Sequence, residues 1–241
     1  MKVIFLVICM VAFTTSAFCQ IYPIEQESEQ ERLKSELSSY EFEKKEVLYL
    51  KSIYLRNDTT LTAIKELHES TFIQLVDSLD RVSPEAFYQK SAELLSQFKI
   101  DQAVFLLNLG QLRFKYFNLT DPNYSASGGG ALLMSLNYTL AEPINKYLKI
   151  NIDNYIEILN SCIEWHSKHD YVFVTENKDS IKYNKLTNSL IAIRDNYIKN
   201  KDSLKKEGIK EAKEFLKNSD GILRDIEKGI KRIKKQLKQI E

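Results

Sequence analysis

Long stretches of this chain contain nothing that would stop a helix. Only four prolines and seven glycines punctuate 241 residues, and segments so poor in breakers favour helices over a many-turned β-sandwich. A composition of 44% hydrophobic and 28% charged residues is that of a globular protein. The reading is therefore all-α: a helical-hairpin array or bundle ending in a long amphipathic, coiled-coil-like helix.

That last helix carries the clearest periodicity. From Ile209 to Ile240 a seam runs through Ala212, Leu216, Ser219, Leu223, Ile226, Ile230, Ile233 and Leu237 in steps of three and four. Gly221 and Gly229 interrupt it at a cost of about 1 kcal/mol each relative to Ala, so a break near Asp220–Gly221 is expected. The seam suits homodimerisation through 209–240. Lys228, Lys231, Arg232, Lys234, Lys235 and Lys238 crowd the same stretch. Beside the seam they suit peripheral contact with a membrane surface, or they are the solvated face of a packed helix.

The chain begins with Lys2, an apolar run Val3–Phe13 and small residues before Cys19, the layout of a secretory signal peptide. Cleavage between Cys19 and Gln20 gives a periplasmic or secreted protein. Lipidation of Cys19 is the alternative, disfavoured by the bulky Phe18. Cys9 and Cys19 fall in this segment, which leaves Cys162 alone in the mature chain and no intramolecular disulfide. A net charge of +1 gives no case for nucleic acid. The division expected is 1–19 signal peptide, 20–170 helical core and 171–241 lysine-rich helical region.

Between these ends, residues 20–34 read as a loose acidic lead-in and Glu36–Leu55 as a helix. Asn57–Thr59 read as a turn and Leu61–Leu79 as one amphipathic helix. Ser83–Pro84 is a helix start. Ala103–Phe117 is apolar nearly all round and belongs in the middle of the fold. Asp121–Gly130 is a loop with an Asx-type turn. Ala131–Leu148 is a helix kinked or restarted at Pro143, and Ile150–His169 is another. Tyr171–Thr175 is a short extended piece.

Residues 83–110 resemble one tetratricopeptide-type hairpin. Ser91, Ala103 and Gly110 stand at its small positions and Leu107 at the large one, while Phe98 stands where the turn glycine is expected. No second copy follows, so a solenoid is not implied. The pattern A-x-F-x-x-x-x-G-Q-x-R (Ala103–Arg113) followed by I-N-x-Y (Ile144–Tyr147) is similar to a set of uncharacterised exported bacterial helical proteins. That resemblance implies all-α architecture and supplies no activity.

Candidate sites are few. Cys162, His166 and His169 share a helical face and have the donor types of a zinc site; the plain reading is packing beside Trp165. Gln111 and Arg113 lie in the most apolar helix, where a polar group must be paired. They form either a structural network, with Glu142 as a partner, or a ligand pocket with Asn145 and Tyr147. Gly128–Gly130 could present amides to an anion, although no P-loop Lys-Ser/Thr follows. No nucleophile elbow, HExxH, CxxC or dinucleotide fingerprint is present, and no cofactor is implied. The expectation is a non-enzymatic protein–protein interaction module of the bacterial envelope, with an unidentified envelope or secreted protein as partner. The alternative is a ligand-binding protein or enzyme using the Gln111–Arg113 region.

Overall fold

The computed structural model describes residues 28–55 and 62–240, apart from the side chains of 62–64, 139 and 141–143. The expected signal peptide, the lead-in as far as residue 27 and the turn at Asn57–Thr59 lie outside the described residues. Those described are helical, with turns and no strand among them. They form two compact units.

The larger unit holds residues 62–208. Its helices are α2 (Thr62–Leu67), α3 (Ser70–Leu79), α4 (Glu85–Ser96), α5 (Ile100–Thr120), α6 (Ala131–Ile150), α7 (Ile152–Lys168) and the first part of α8 (Ser180–Ile240). Every residue from Ile100 to Gly110 is buried. A helix apolar on all sides must be surrounded, and α5 packs against α2, α4, α6 and α7.

The α4–α5 hairpin is the one expected over 83–110. The Ser91 hydroxyl donates to the Ala103 carbonyl at 2.7 Å. At Gly110 a Cβ would stand 2.7 Å from the Phe87 Cβ, so only glycine lets the two helices approach this closely. The turn is closed by Phe98 N–H to Leu95 O and Lys99 N–H to Leu94 O, both 3.0 Å. Phe98 sits at φ 59°, the left-handed conformation that glycine usually supplies in this cap.

Several elements differ from expectation. The Leu61–Leu79 periodicity is split at His68–Glu69, where Glu69 is extended. The side-chain amide of Gln102 takes up the Glu66 carbonyl at 3.0 Å, satisfying an acceptor at the end of α2. The loop of 121–130 is shorter than expected, because Ala126–Gly130 forms a π-helical turn leading into α6. The Asx turn is present, with Asn123 N–H on Asp121 Oδ1 at 2.8 Å. Helix α6 runs through Pro143 without interruption. Tyr171–Thr175 is a turn, not a strand: Tyr171 and Val174 face inward, and the Phe173 N–H bonds the Asp80 carbonyl at 3.0 Å. Asp179 then caps α8, accepting from Ile181 and Lys182 N–H at 3.0 Å each.

The smaller unit pairs α1 (Glu29–Leu55) with residues 209–240 of α8. Helix α1 begins in a reciprocal cap: Glu31 N–H donates to Ser28 Oγ at 3.2 Å, and Ser28 N–H to Glu31 Oε2 at 3.0 Å. The helices run antiparallel. Tyr54 stacks at a tilt on Phe215, Lys51 pairs with Asp220, Lys44 with Glu227, and Arg232 with Glu36. On α8 the seam residues Ala212, Ser219, Ile226 and Ile233 are buried, while Ile209 and Ile240 at its ends are exposed. A Cβ on Gly229 would lie 2.8 Å from the Tyr40 ring. Contrary to expectation, α8 does not break at Gly221, where a Cβ would meet nothing within 4 Å. The compact units divide the chain near Asp58 and Gly208, because the partner of the seam is an N-terminal helix of the same chain.

Candidate functional site

Arg113 is wholly buried at the centre of the larger unit. A guanidinium has five N–H donors, and each has an acceptor here. Nε donates to Asp80 Oδ1 at 2.7 Å, and one terminal nitrogen donates to Asp80 Oδ2 at 3.0 Å. That nitrogen also reaches the His169 carbonyl at 3.1 Å. The other donates to His166 Nδ1 at 2.9 Å and to the Tyr183 hydroxyl. Asp80 Oδ2 also accepts the Trp165 indole N–H at 2.9 Å. The Tyr183 hydroxyl donates onward to the His169 carbonyl at 2.6 Å.

The donor–acceptor chemistry fixes the histidine. Arginine cannot accept, so Nδ1 of His166 is the acceptor and the ring proton sits on Nε2, which faces the Tyr183 carbonyl at 3.5 Å. Burial and the neighbouring Arg113 charge both oppose a second proton, and the His166 pKa falls from 6.5 to about 3. For Arg113, burial works against the charge, but Asp80 and Tyr183 outweigh it and the pKa rises. Aromatic rings close the cluster. His166 stacks on Tyr183 at 3.9 Å, and Tyr116 meets Tyr183 edge-on at 4.9 Å. The guanidinium lies 5.3 Å from the Tyr171 ring centroid.

This cluster joins five segments: the end of α3, the middle of α5, the end of α7, the turn at 171–174 and the first turns of α8. Arg113 thus has Asp80 as its carboxylate partner; the side chain of Glu142, named in the sequence reading, lies outside the described residues. Asp80, Trp165, Tyr171 and Tyr183 are members that sequence reasoning missed. An acid closing an amphipathic helix, as in Leu79-Asp80-Arg81, was the available signal for Asp80.

The other candidate ligand residues face different partners. Gln111 donates to Asn137 Oδ1 at 3.0 Å, an oxygen that also accepts from the Tyr88 hydroxyl at 3.1 Å. Tyr147 is buried and donates to Asp101 at 2.6 Å. Asn145 is exposed on α6. In the glycine-rich turn, Gly128 N–H already donates to Ser125 Oγ at 3.0 Å and Gly130 N–H to Ser125 O at 3.3 Å.

Cys162, His166 and His169 share α7 and its end, but their donor atoms point to other groups. The Cys162 thiol is buried against the Phe105 carbonyl at 3.5 Å, and burial pushes its pKa well up. His166 Nδ1 is held by Arg113. His169 stacks on Trp165 at 3.9 Å, with Nδ1 at 3.1 Å from the Trp165 carbonyl. Among the described residues no group of three or more His, Cys, Asp or Glu side chains is placed to hold a metal ion, and no helix is long and apolar enough to cross a membrane. No protein-family model, curated protein or solved structure matches the chain.

Proposed function

We propose that this protein is a non-enzymatic protein–protein interaction module exported to the bacterial envelope. The observation that favours this reading over a ligand pocket at Arg113 is the closed state of the Arg113 cluster. Its five donors all end on protein acceptors, so it has no donor left for a substrate. A buried charge held this way organises a core.

The contact chemistry lies on the outside. Met134 and Tyr138, one turn apart on α6, are each 69% exposed. A flexible thioether beside an amphipathic ring suits an adaptable protein contact. Export rests on the charged, apolar and small-residue layout of residues 2–19.

A photo-crosslinker at position 138 in the full chain tests the binding reading. A discrete adduct is expected in the envelope fraction, competed by excess purified protein and not by a Met134→Ser, Tyr138→Ser variant. The same pattern from any exposed position would overturn it. Intact-mass measurement tests export: a chain beginning at Gln20 is expected, and retention of residues 1–19 sinks the idea.

A further inference from the structure

The unit of α1 and residues 209–240 carries a surface that the buried seam leaves free. Arg224, Lys228, Lys231, Lys235 and Lys238 follow one another in steps of four and three, so they share one face of α8. All are exposed. They lie on the face away from Ser219, Ile226 and Ile233, which are buried. Over this length the helix rises roughly 20 Å.

The neighbouring cations behave differently. Arg232 and Lys234, nearer the seam, are matched to Glu36 and Glu41 of α1 at 2.9 and 3.2 Å. Within the ridge, Lys228 pairs with Asp225 at 2.9 Å, and Lys231 lies within the field of Glu227. Lys235 and Lys238 have no ion-pair partner among the described residues. Three acids flank the ridge, Asp220, Asp225 and Glu227, and two of them are already paired with α1, Asp220 with Lys51 and Glu227 with Lys44. With no apolar residue on that face between Arg224 and Lys238, the ridge is cationic without being amphipathic.

We propose that this ridge docks on an anionic phospholipid surface, by charge alone and without insertion. The seam that an interfacial helix would bury in lipid is already covered by α1. What remains is a straight row of ammonium and guanidinium groups on long stems. Such a row lies along a plane of headgroup phosphates with each stem free to adjust. The proposal rests on the export reading for its setting. Its test uses purified protein, so a failure here leaves the export result untouched.

The full chain is mixed with vesicles of pure phosphatidylcholine and with vesicles rich in phosphatidylglycerol, and sedimented. Binding to the anionic vesicles alone is expected, with loss at high salt as the Debye length shrinks from about 10 Å to about 3 Å. Lys231→Gln, Lys235→Gln, Lys238→Gln together should weaken partitioning roughly a hundredfold, from about fivefold per cation near the surface. The matching Lys→Arg triple should bind as the parent does. Far-ultraviolet circular dichroism checks that both variants keep the parent helicity. No binding by the parent overturns the proposal, as does equal binding to neutral vesicles or full binding by the Gln triple. Single-stranded DNA offered in the same buffer should compete poorly; preference for it over the vesicles would point to a different polyanion and equally overturn the assignment.

Discussion

Asp80 and Arg113 meet at the centre of one unit with side chains 4% and 0% exposed, whereas Lys51 and Asp220 meet on the rim of the other with 28% and 72% exposed. Both are ion pairs of similar length, yet they do different work. The buried pair has lost its water and depends on its surrounding donors and acceptors. The rim pairs keep theirs, and their contribution is to align two antiparallel helices whose adhesion comes from the apolar seam. Charge locks the first unit together and merely orients the second.

The comparison breaks most visibly if the lock is opened. Asp80→Asn leaves the guanidinium buried without its countercharge, and a loss of about 3–5 kcal/mol is expected. Urea unfolding followed by the fluorescence of Trp165, the single tryptophan, should report this directly, since its indole bonds Asp80. A midpoint unchanged by Asp80→Asn would mean the cluster does not hold the core.

A pH series tests the same unit. The folded chain favours the neutral His166 ring, with its pKa lowered to about 3 from an ordinary 6.5. Above 6.5 the ring is neutral folded and unfolded, and its contribution is complete. Below 6.5 the unfolded ring takes up a proton that the folded ring refuses, so stability is lost progressively until about pH 3. The loss is on the order of 5 kcal/mol. His166→Gln keeps an acceptor for Arg113 and removes the titration, so the difference between the two pH profiles should isolate it. Parallel profiles would count against the assignment.

In the helix pair, two glycines eight residues apart should respond with opposite signs. Gly229→Ala drives a methyl into the Tyr40 ring and should cost about 1–3 kcal/mol. Gly221→Ala adds a methyl in open space and should stabilise by about 1 kcal/mol through helix propensity. Thermal unfolding by circular dichroism measures both. Smallest of all, Lys51→Gln on the rim should leave the melting curve unchanged.

How much of this was legible beforehand varies by element. The seam on α8 and the burial of α5 follow from apolar spacing alone, because periodicity records which face avoids water. Helix α1 was harder. Leu33, Leu37, Tyr40, Val47 and Tyr54 keep a three- and four-residue rhythm, but Lys44 and Lys51 occupy two of its beats and disguise it. Their neutralising partners, Glu227 and Asp220, lie far along the chain. Its start at Ser28 was readable from the Ser-x-x-Glu spacing. The Arg113 cluster shows the limit most clearly. A polar residue in an apolar helix announces that a partner exists, but Asp80, His166 and Tyr183 come from three other segments. Only the packing of α5 against α7, together with the turn at 171–174, brings them within hydrogen-bonding distance. The turn itself misled: Tyr171-Val172-Phe173-Val174 has strand propensity, yet α3 offers it a single carbonyl and no edge to pair with.

The sealed position of Cys162 has a kinetic consequence. Its thiol lies between α5 and α7 with its ionisation suppressed, so an alkylating reagent can reach it only when those helices part. The labelling rate is then the reagent's intrinsic rate multiplied by the fraction of time the core stands open. One cysteine thus serves as a clock for opening of the larger unit in the folded chain, readable by mass without denaturant. The same seal shields the thiol from oxidants in solution for as long as the helices stay shut.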